Sequence, residues 1–486
     1  MSGLYPALNV YARVLFAFSF AFLVPLAWAL GEDLDDSMQI WGGSFALGLT
    51  TAGLIWLLTR SHRRELMPKD GFLLVNMVWL MLPAHSAVPL MFTVPDISWS
   101  QAYFESMSGL TATGATALSG LDDLPVSVNI WRCFLQLIGG LGIMLLVVAV
   151  LPMLGLGGMQ LYKAETPGPM KDTKFTPRIA ETARGLWGVY FLFSGACLLG
   201  YRWAGMSWAD AFMHMCTTMG LGGFSSHDAS LGYFNSPQVE YVAIVFMALS
   251  GISFLRYFVV LRSRSLRPIT GDREIRTYVA VLAVAIVLLA LLLAAHGTYA
   301  EFPEALRLSA FHVLSLATTT GYATTDYAQW PIFAPVLLMF LGTFVSCAGS
   351  TGGGIKMVRM ILLIKQARRE LVRIIHPRVV NPVTLGGQVV PMPVMTAVLG
   401  FMLIYGAATM ALTMLLLFTG LDIVTSFSAV VATVNNIGPG LGEVGPASNY
   451  GVLGDLRLNI LSFAMLLGRL ELLTFLVLFT GAFWRK

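Results

Sequence analysis

Apolar segments close to 20 residues long recur from one end of this chain to the other. A helix needs about 20 apolar residues to cross the hydrocarbon core of a bilayer, so the pattern is typical of membrane-spanning helices. Two such helices are predicted near the N-terminus, at 13–30 and 39–59. Four pairs of helices are predicted after them, with leading helices at 71–93, 179–203, 277–296 and 393–420 and return helices at 129–152, 237–260, 331–365 and 451–482.

Between the two helices of every pair lies a phenylalanine, followed ten or eleven residues later by a glycine in a small or hydroxyl-rich stretch: Phe104 and Gly114, Phe212 and Gly223, Phe311 and Gly321, and Phe427 and Gly438. The 11–15 residues around each phenylalanine are too few to span a bilayer, because a helix rises only about 1.5 Å per residue. We therefore predict half-helices that enter the membrane and return as extended chain. Such backbone is tolerated at membrane depth only where it is buried or lines a watery cavity.

Four extended segments that bury one another around an axis would meet this requirement for backbone at membrane depth. The four glycines lie 109, 98 and 117 residues apart, which indicates one long repeat. The pattern thus predicts an all-α polytopic membrane protein, with two N-terminal helices plus four helix–pore-loop–helix repeats arranged pseudo-four-fold around one ion pore. The predicted boundaries are 1–66 for the N-terminal helix pair and 67–160, 161–270, 271–380 and 381–486 for the four repeats.

The predicted returns have the chemistry of a cation filter. An inward-running half-helix points the negative end of its dipole at the membrane centre. The extended return then offers backbone carbonyls that can replace the hydration shell of an ion. Glycine accepts a positive φ and keeps a crowded axis free of side chains. One isolated stretch would also fit helix packing, where glycine and hydroxyl residues are common, but four in matching places favour a pore.

Composition and charge agree with a membrane protein. The chain is 56% hydrophobic and 12% charged, against roughly 25% charged in soluble domains, and its mean hydropathy is +0.74. Of its 30 basic residues, 25 fall on one side of the predicted membrane, which places both termini and the basic loops in the cytoplasm. The net charge of +4 follows from this topology, so nucleic-acid binding is not needed to explain it. The four cysteines are too scattered for a zinc site or a disulfide framework.

Other functional classes have little support in the sequence. The chain contains no P-loop, HExxH or GxSxG motif, and it is predicted not to be an enzyme. A carrier built from inverted repeats would bind its substrate at broken helices. All four repeats here share one orientation, which favours a pore.

Several motifs together resemble a known family. They are FESMSGLTATGAT from Phe104, GGFS from Gly222, TGY from Thr320, NIGPGLG from Asn436 and CAGSTGGGIK from Cys347. This combination is similar to the Trk/Ktr/HKT superfamily of potassium transporters, and the two extra N-terminal helices resemble its bacterial TrkH-type branch.

The resemblance implies potassium uptake across the bacterial cytoplasmic (inner) membrane. It implies potassium-binding filter carbonyls at Ala112, Thr113, Gly114, Gly222, Gly223, Thr320, Gly321, Ile437 and Gly438. Glycine at all four filter positions is the pattern that the superfamily associates with potassium preference, and no metal site other than this potassium site is expected. A sodium-permeable or ion-coupled cation symporter of the same fold is the alternative.

The third return helix is predicted to be interrupted, because each of its three consecutive glycines costs roughly 1 kcal/mol against alanine. The resemblance implies an intramembrane gate here, formed by Cys347, Ala348, Gly349, Ser350, Thr351, Gly352, Gly353 and Gly354. It also implies that Arg469, predicted near the centre of the last span, projects into the pore and opposes cations. A packing notch for the loop and an interhelical salt bridge for Arg469 are the alternatives.

Three further polar residues lie on predicted pore helices. Glu105 is predicted to brace the filter through hydrogen bonds. His214 and His312 have no carboxylate motif beside them, which favours packing or hydrogen bonding over metal ligation.

Partners are implied by the resemblance as well. It implies a homodimer in membrane lipid, with one pore per chain. The chain has no nucleotide-binding motif, so no cofactor of its own is expected. Regulation is expected from a cytosolic ring of Rossmann-type, TrkA-like subunits that bind NAD(H) or ATP. The candidate contacts are the basic loops Lys163–Arg184, Arg262–Arg276 and Lys356–Arg378.

Overall fold

The structure is a computed structural model that describes residues 4–31, 35–61, 67–145 and 175–485. Six of the basic residues used for the topology prediction lie outside the described residues: Arg63, Arg64, Lys163, Lys171, Lys174 and Lys486. Most of the first predicted docking loop, Lys163–Arg184, lies outside them as well.

Two helices near the N-terminus pack against each other and against repeat 1. The first consists of Leu4–Ser19, a 3₁₀ turn at Phe20–Phe22, and Leu23–Gly31; the second is Asp35–Thr59. The tighter turn precedes Pro25, which has no N–H to donate to the carbonyl four residues earlier. The ring of Phe22 stacks on Trp131 of repeat 1, with 4.5 Å between the centroids. This contact packs the N-terminal helix pair against the return helix of repeat 1.

Four repeats of leading helix, pore helix and return helix follow. The leading helices are Pro68–Thr93, Phe175–Trp203, Arg273–Ala295 and Met392–Phe418. The pore helices are Trp99–Leu110, Trp208–Gly220, Phe302–Ala317 and Ile423–Val434. The return helices are Val126–Leu145, Pro237–Ser250 with Phe254–Ser263, Phe333–Gly342 with Met357–Ile375, and Asp455–Arg469 with Leu473–Leu476.

The described part of the chain contains seven helices long and apolar enough to cross a membrane, or nine if each of two bent pairs is one span. The predicted fold class is confirmed. Short elements complete the structure: 3₁₀ turns at Ser230–Phe234, Tyr327–Gln329, Gly442–Val444, Tyr450–Leu453 and Val477–Phe479, helical turns at Arg267–Thr270 and Gly481–Trp484, and strands at Thr384–Leu385 and Gln388–Val389.

The strands form a small antiparallel hairpin that the sequence analysis does not predict. Thr384 pairs with Val389 and Leu385 with Gln388. Gly386 and Gly387 between them have φ of 55° and 85°, which suits a two-residue turn with positive φ at both central positions.

Two return helices predicted as continuous, 237–260 and 451–482, are bent. The second return helix turns by 83° between Ser250 and Phe254, and the fourth by 104° after Arg469. Interrupted backbone within a membrane must find partners in the protein. At the second bend, Phe254 N–H donates to the Gly349 carbonyl at 3.1 Å, and Cys347 N–H donates to the Gly251 carbonyl at 3.1 Å. The bend of the second return helix and the interruption of the third therefore satisfy each other's backbone groups.

Three of the four pore helices begin at a side-chain cap, and all four have a buried C-terminal half. The Ser98 hydroxyl accepts from Gln101 N–H at 3.2 Å, and the Ser207 hydroxyl accepts from Asp210 N–H at 3.0 Å. The Asp422 carboxylate caps the fourth pore helix in the same way. Such caps satisfy the first orphan N–H groups of a helix. The last turns of all four pore helices are buried, so the polar centre of the protein is enclosed by its own repeats.

Candidate functional site: the carbonyl ring and the loop against it

All four pore helices end in the same backbone motif. The residue after the last turn is left-handed in each: Ala112 (φ 50°), Leu221 (53°), Thr319 (65°) and Asn436 (55°). The next N–H donates to the carbonyl five residues earlier: Thr113 to Ser108, Gly222 to Thr217, Thr320 to Ser315 and Ile437 to Ala432, all at 2.8–2.9 Å. These bonds define a Schellman motif, which usually has glycine at the left-handed position. A non-glycine residue there costs about 1–2 kcal/mol, a strain that the surrounding packing must maintain.

The four predicted filter glycines close a ring. Their φ angles are 83° at Gly114, 73° at Gly223, 85° at Gly321 and 103° at Gly438. Each glycine faces the carbonyl oxygen of the residue before the filter glycine of the next repeat: Gly114 faces Gly222, Gly223 faces Thr320, Gly321 faces Ile437, and Gly438 faces Thr113. A side chain at any of the four would collide with that oxygen. The four repeats therefore follow one another in chain order around a single axis.

The ring brings together all nine predicted filter residues. Gly114, Gly223 and Gly321 are partly exposed, whereas the residue before each of them is buried, so the glycines line an opening. The sequence analysis names Ala112 as a filter residue but omits its equivalents Leu221, Thr319 and Asn436. That equivalence becomes visible only through the shared hydrogen bonds.

The phenylalanine of the sequence repeat is not one structural position. Aligned by the Schellman bonds, Phe104 and Phe311 are equivalent, and both are fully buried. Phe212 and Phe427 lie one residue earlier on their helices, and Phe427 is 45% exposed. A shift of one residue turns a side chain by about 100° around a helix. The glycine and the end of the pore helix occupy equivalent positions in all four repeats, whereas the phenylalanine does not.

A buried ion pair fastens the loop of repeat 1 to that of repeat 2. Arg132 Nε donates to the Glu105 carboxylate at 2.7 Å, and neither side chain is more than 1% exposed. The same carboxylate accepts from Thr116 Oγ1 at 3.0 Å and from Ala117 N–H at 2.9 Å. Arg132 Nη1 donates to the Ser225 carbonyl at 3.2 Å, in the loop after the second filter glycine. These are bracing contacts of the kind predicted for Glu105.

The two pore-helix histidines occupy the position of Glu105 in repeats 2 and 3. His214 Nε2 lies 3.0 Å from Ser225 Oγ, and the longer contact of His312 Nε2 with Thr324 N–H is 3.5 Å. Each histidine therefore reaches the chain just beyond its own filter glycine. Among the described residues, no group of three His, Cys, Asp or Glu side chains could hold a metal ion.

At the mouth of the ring, on the side where the pore helices begin, His227 links repeats 1 and 2. Its Nδ1 contacts the Asp122 carboxylate, and its Nε2 lies 3.4 Å from Asp210 Oδ1. The imidazole stacks on Tyr233 with 3.4 Å between centroids. Burial alone would lower the pKa of His227, but the hydrogen bonds and charges of Asp210 and Asp122 outweigh it and raise the pKa above its ordinary value of 6.5.

On the opposite side, the interruption of the third return helix lies against three pore-helix ends. Thr351 Oγ1 donates to the Met219 carbonyl at 3.0 Å, at the end of the second pore helix. Gly353 N–H donates to Thr319 Oγ1 at 2.8 Å, in repeat 3. A Cβ built on Gly353 would collide with the Asn435 carbonyl of repeat 4. The predicted gate segment is therefore packed directly against the base of the ring.

Both flanks of this loop are held by one carboxylate that the sequence analysis misses. Glu274, in the first turn of the third leading helix, is 5% exposed. Its Oε1 accepts from Ala348 N–H at 2.8 Å and from Val358 N–H at 3.1 Å. A carboxylate can accept several hydrogen bonds, so Glu274 ties together the two ends of the interruption in the third return helix.

Arg469 holds the same loop from the fourth repeat. It is 3% exposed, and its Nη1 donates to the Thr351 carbonyl at 3.0 Å. Its Nη2 donates to the Gly139 carbonyl of repeat 1 at 3.0 Å. Arg469 ends the helix Asp455–Arg469, at the bend of the last return helix, and so lies near the middle of the broken span from Asp455 to Phe479.

The predicted alternative of an interhelical salt bridge for Arg469 is wrong in this conformation. Among the described residues, no carboxylate lies within ion-pair distance of Arg469, and its partners are backbone carbonyls. The nearby Glu471 pairs with Arg359 of the third return helix instead. Arg469 therefore keeps a charge that no carboxylate of the described chain neutralises.

The chain was compared with known proteins and known structures. Residues 37–486 match the model of the TrkH family, described as a cation transport protein. The chain is 44% identical over 446 residues to the Trk system potassium uptake protein TrkH of Vibrio parahaemolyticus, covering 91% of this chain and 92% of that protein. It is 38% identical over 470 residues to the Trk system potassium uptake protein TrkG of Escherichia coli, covering 96% of each.

A solved structure has the same fold over the whole chain. The crystal structure of the potassium transporter TrkH from Vibrio parahaemolyticus aligns with a TM-score of 0.91 and 39% sequence identity. The alignment covers 99% of both chains.

Proposed function

This chain belongs to the TrkH family of cation transport proteins, and we propose that it takes up potassium through the carbonyl ring described above. The family is one of transporters, so the chain is a multi-pass membrane transporter and not an enzyme. Relatives that cover most of its length are named as potassium uptake proteins. The substrate of this chain is inferred from them.

The closed ring is the observation that carries the proposal. Four carbonyls, one from each repeat, each lie against the glycine of the neighbouring repeat, and no side chain fits at those glycines. Carbonyl oxygens can replace the water that a cation loses on entering a narrow pore. The pore helices point the negative ends of their dipoles at the same place, which favours a cation there. A cation filter is the function that this geometry supports best.

A gate against the ring is the second part of the proposal. The loop Cys347–Gly354 packs against the base of the ring and accepts one hydrogen bond from Arg469, at the Thr351 carbonyl. The arginine also places an unneutralised positive charge next to the path, where it opposes a cation. Conduction then requires the loop to move and the arginine to leave the carbonyl of Thr351.

Control from the cytoplasm completes the proposal. Both termini and the basic loops lie on the cytoplasmic side of the bacterial inner membrane, as the excess of lysine and arginine on that side supports. A homodimer docks a ring of soluble Rossmann-type subunits that bind NAD(H) or ATP. The chain itself carries no cofactor. Arg262–Arg276 and Lys356–Arg378 are the docking segments within the described residues, and the second of these follows directly from the gate loop.

The decisive experiment is rubidium uptake into proteoliposomes that contain the purified chain, competed with potassium and then with sodium. Potassium should block uptake at far lower concentration than sodium. Equal competition would refute the potassium filter and favour the sodium-permeable alternative. Uptake that appears only with an imposed proton or sodium gradient would instead show an ion-coupled symporter.

The gate is tested in the same vesicles by deleting Gly352–Gly354. The deletion should raise uptake above that of the parent, because the loop can no longer pack against the base of the ring. A deletion that changes potassium preference but leaves the rate unchanged would show that the loop supports the filter and does not gate it.

A further inference from the structure

Repeat 2 differs from the other repeats at the residue that supplies the ring carbonyl. That residue is Thr113 in repeat 1, Thr320 in repeat 3 and Ile437 in repeat 4. In repeat 2 it is Gly222, so this carbonyl belongs to a residue with no side chain. Glycine has the greatest backbone freedom of any residue, and it needs an external partner to hold one conformation.

Repeats 1 and 3 hold this residue with a pair of threonine hydroxyls. Thr111 Oγ1 lies 2.7 Å from Thr113 Oγ1, and Thr318 Oγ1 lies 2.8 Å from Thr320 Oγ1. In repeat 2 both positions of the pair are glycine, because Gly220 precedes Gly222 by two residues. The hydroxyl pair is therefore absent from this loop.

The side chain of Gln136, from the return helix of repeat 1, occupies the vacant place. It is 0% exposed. Its Nε2 donates to the Gly222 carbonyl at 2.9 Å, and its Oε1 accepts from Phe224 N–H at 3.1 Å. The amide thus spans the second filter glycine and bonds to the chain on both sides of it.

The inserted amide explains glycine at 222, and the backbone of the same helix explains glycine at 220. A Cβ built on Gly222 would fall within 2.7 Å of the carbon, oxygen and nitrogen of the Gln136 amide. A Cβ built on Gly220 would fall 2.6 Å from the Gln136 backbone carbonyl. Position 222 therefore has no side chain because the Gln136 amide takes its space, and position 220 has none because the backbone of the repeat 1 return helix passes too close.

We infer that Gln136 is a positioning residue that sets the potassium preference of the ring by fixing the Gly222 carbonyl. A carbonyl oxygen has two lone pairs, so it can accept from Gln136 and still face an ion. Without the amide, this carbonyl would be free to turn, and one quarter of the ring would adapt to a smaller cation. The inference rests on the proposed function, since it concerns the selectivity of the same ring.

The first test replaces Gln136 by methionine, which has a similar length and volume but makes neither hydrogen bond. Rubidium binding to the detergent-solubilised protein and uptake into proteoliposomes are both measured, each competed with potassium and with sodium. Binding does not depend on whether the gate is open. Gln136→Met should lower the preference for potassium over sodium about tenfold, as expected if, of the two hydrogen bonds lost, the one to the Gly222 carbonyl sets the preference. Leu137→Ala, which removes side-chain volume from the next residue of the helix, should keep the parent's preference.

The second test asks whether a side chain in repeat 2 can replace the amide. Gln136→Ala leaves the space open, and Gly222→Thr on that background gives repeat 2 the residue that repeats 1 and 3 have. Position 220 stays glycine, so this threonine has no hydroxyl partner, but its side chain restricts the backbone and the double variant should recover part of the preference that Gln136→Ala loses. A purely structural role of Gln136 would affect yield and thermal stability without such recovery of selectivity.

The outcomes separate the two proposals. A parent chain that prefers potassium, together with a Gln136→Met variant of equal preference, overturns the inference and leaves the proposed function intact. A parent chain that neither binds nor transports rubidium refutes the proposed function and the inference with it.

Discussion

Adding a single methyl group at each filter glycine should reduce potassium preference in an order that the structure fixes. Alanine at these positions pays for its positive φ, about 1–2 kcal/mol, at all four sites. The steric cost differs between them. A Cβ on Gly114 or Gly223 would fall 1.9 Å from the facing carbonyl oxygen, on Gly321 2.1 Å, and on Gly438 2.8 Å.

These distances give the displacement that each variant forces on the ring. Ordinary van der Waals contact begins at 3.4 Å. The facing oxygen must therefore retreat by about 1.5 Å for Gly114→Ala and Gly223→Ala, but by about 0.6 Å for Gly438→Ala, as the difference between 3.4 Å and each built distance. We expect the first two variants to lose potassium preference entirely. Gly438→Ala should lose about tenfold, equivalent to roughly 1.4 kcal/mol.

The assay is rubidium binding and uptake, each competed with potassium and with sodium. Gly120→Ala is the matched control, because Gly120 has a φ of 69° and nothing within 4 Å of a built Cβ. This variant has the same backbone strain but displaces no carbonyl, so its potassium preference should equal that of the parent. Equal losses of potassium preference for Gly114→Ala and Gly438→Ala, or a loss for Gly120→Ala, would refute the argument that the distance to the facing carbonyl determines the effect.

Three further variants test other contacts of the site. Arg469→Ala should raise basal uptake about tenfold, because it removes a charge that opposes the cation by roughly 1–2 kcal/mol; Arg457→Ala on the same helix is the control, and an unchanged rate for Arg469→Ala would remove the arginine from the gate. Glu105→Gln should lower the free energy of unfolding by about 3 kcal/mol, since it leaves the buried Arg132 without its counter-charge; a thermal midpoint equal to the parent's would contradict this. His227 has a raised pKa, so the stability that its proton contributes is fully present below pH 6.5 and is lost as the pH rises through the raised pKa. The thermal midpoint of the parent should therefore fall on alkalinisation from about pH 6 to 9, and that of His227→Gln should fall less; parallel curves would contradict the assignment.

The hydrophobic pattern was sufficient for the fold class. Apolar segments of membrane-spanning length, the four glycine stretches and the one-sided excess of basic residues are properties of composition and spacing. They predicted the helix pairs and the pore helices with bounds that differ from the structure by a few residues in most cases. They did not predict the bends after Ser250 and Arg469. The first bend has backbone partners in the third return helix, and at the second the Arg469 side chain bonds to carbonyls of repeats 3 and 1.

For the candidate site as well, the sequence identified some residues and missed others. The filter glycines could be found from the sequence, because a close approach around an axis demands glycine in every repeat. The left-handed residues before them, such as Leu221 and Thr319, could not be found, since other side chains are tolerated where packing supports the strain.

What the sequence determined by itself was therefore the local content of the chain: where it is apolar, where it must turn, and where no side chain fits. Only the tertiary structure decided which distant groups meet. Gln136 bonds to a carbonyl 86 residues away, and Arg469 to one 330 residues away. Spacing along the chain carries no trace of such pairs, because they form only when helices from different repeats pack around one axis and each buried polar group must find the partner that this packing offers.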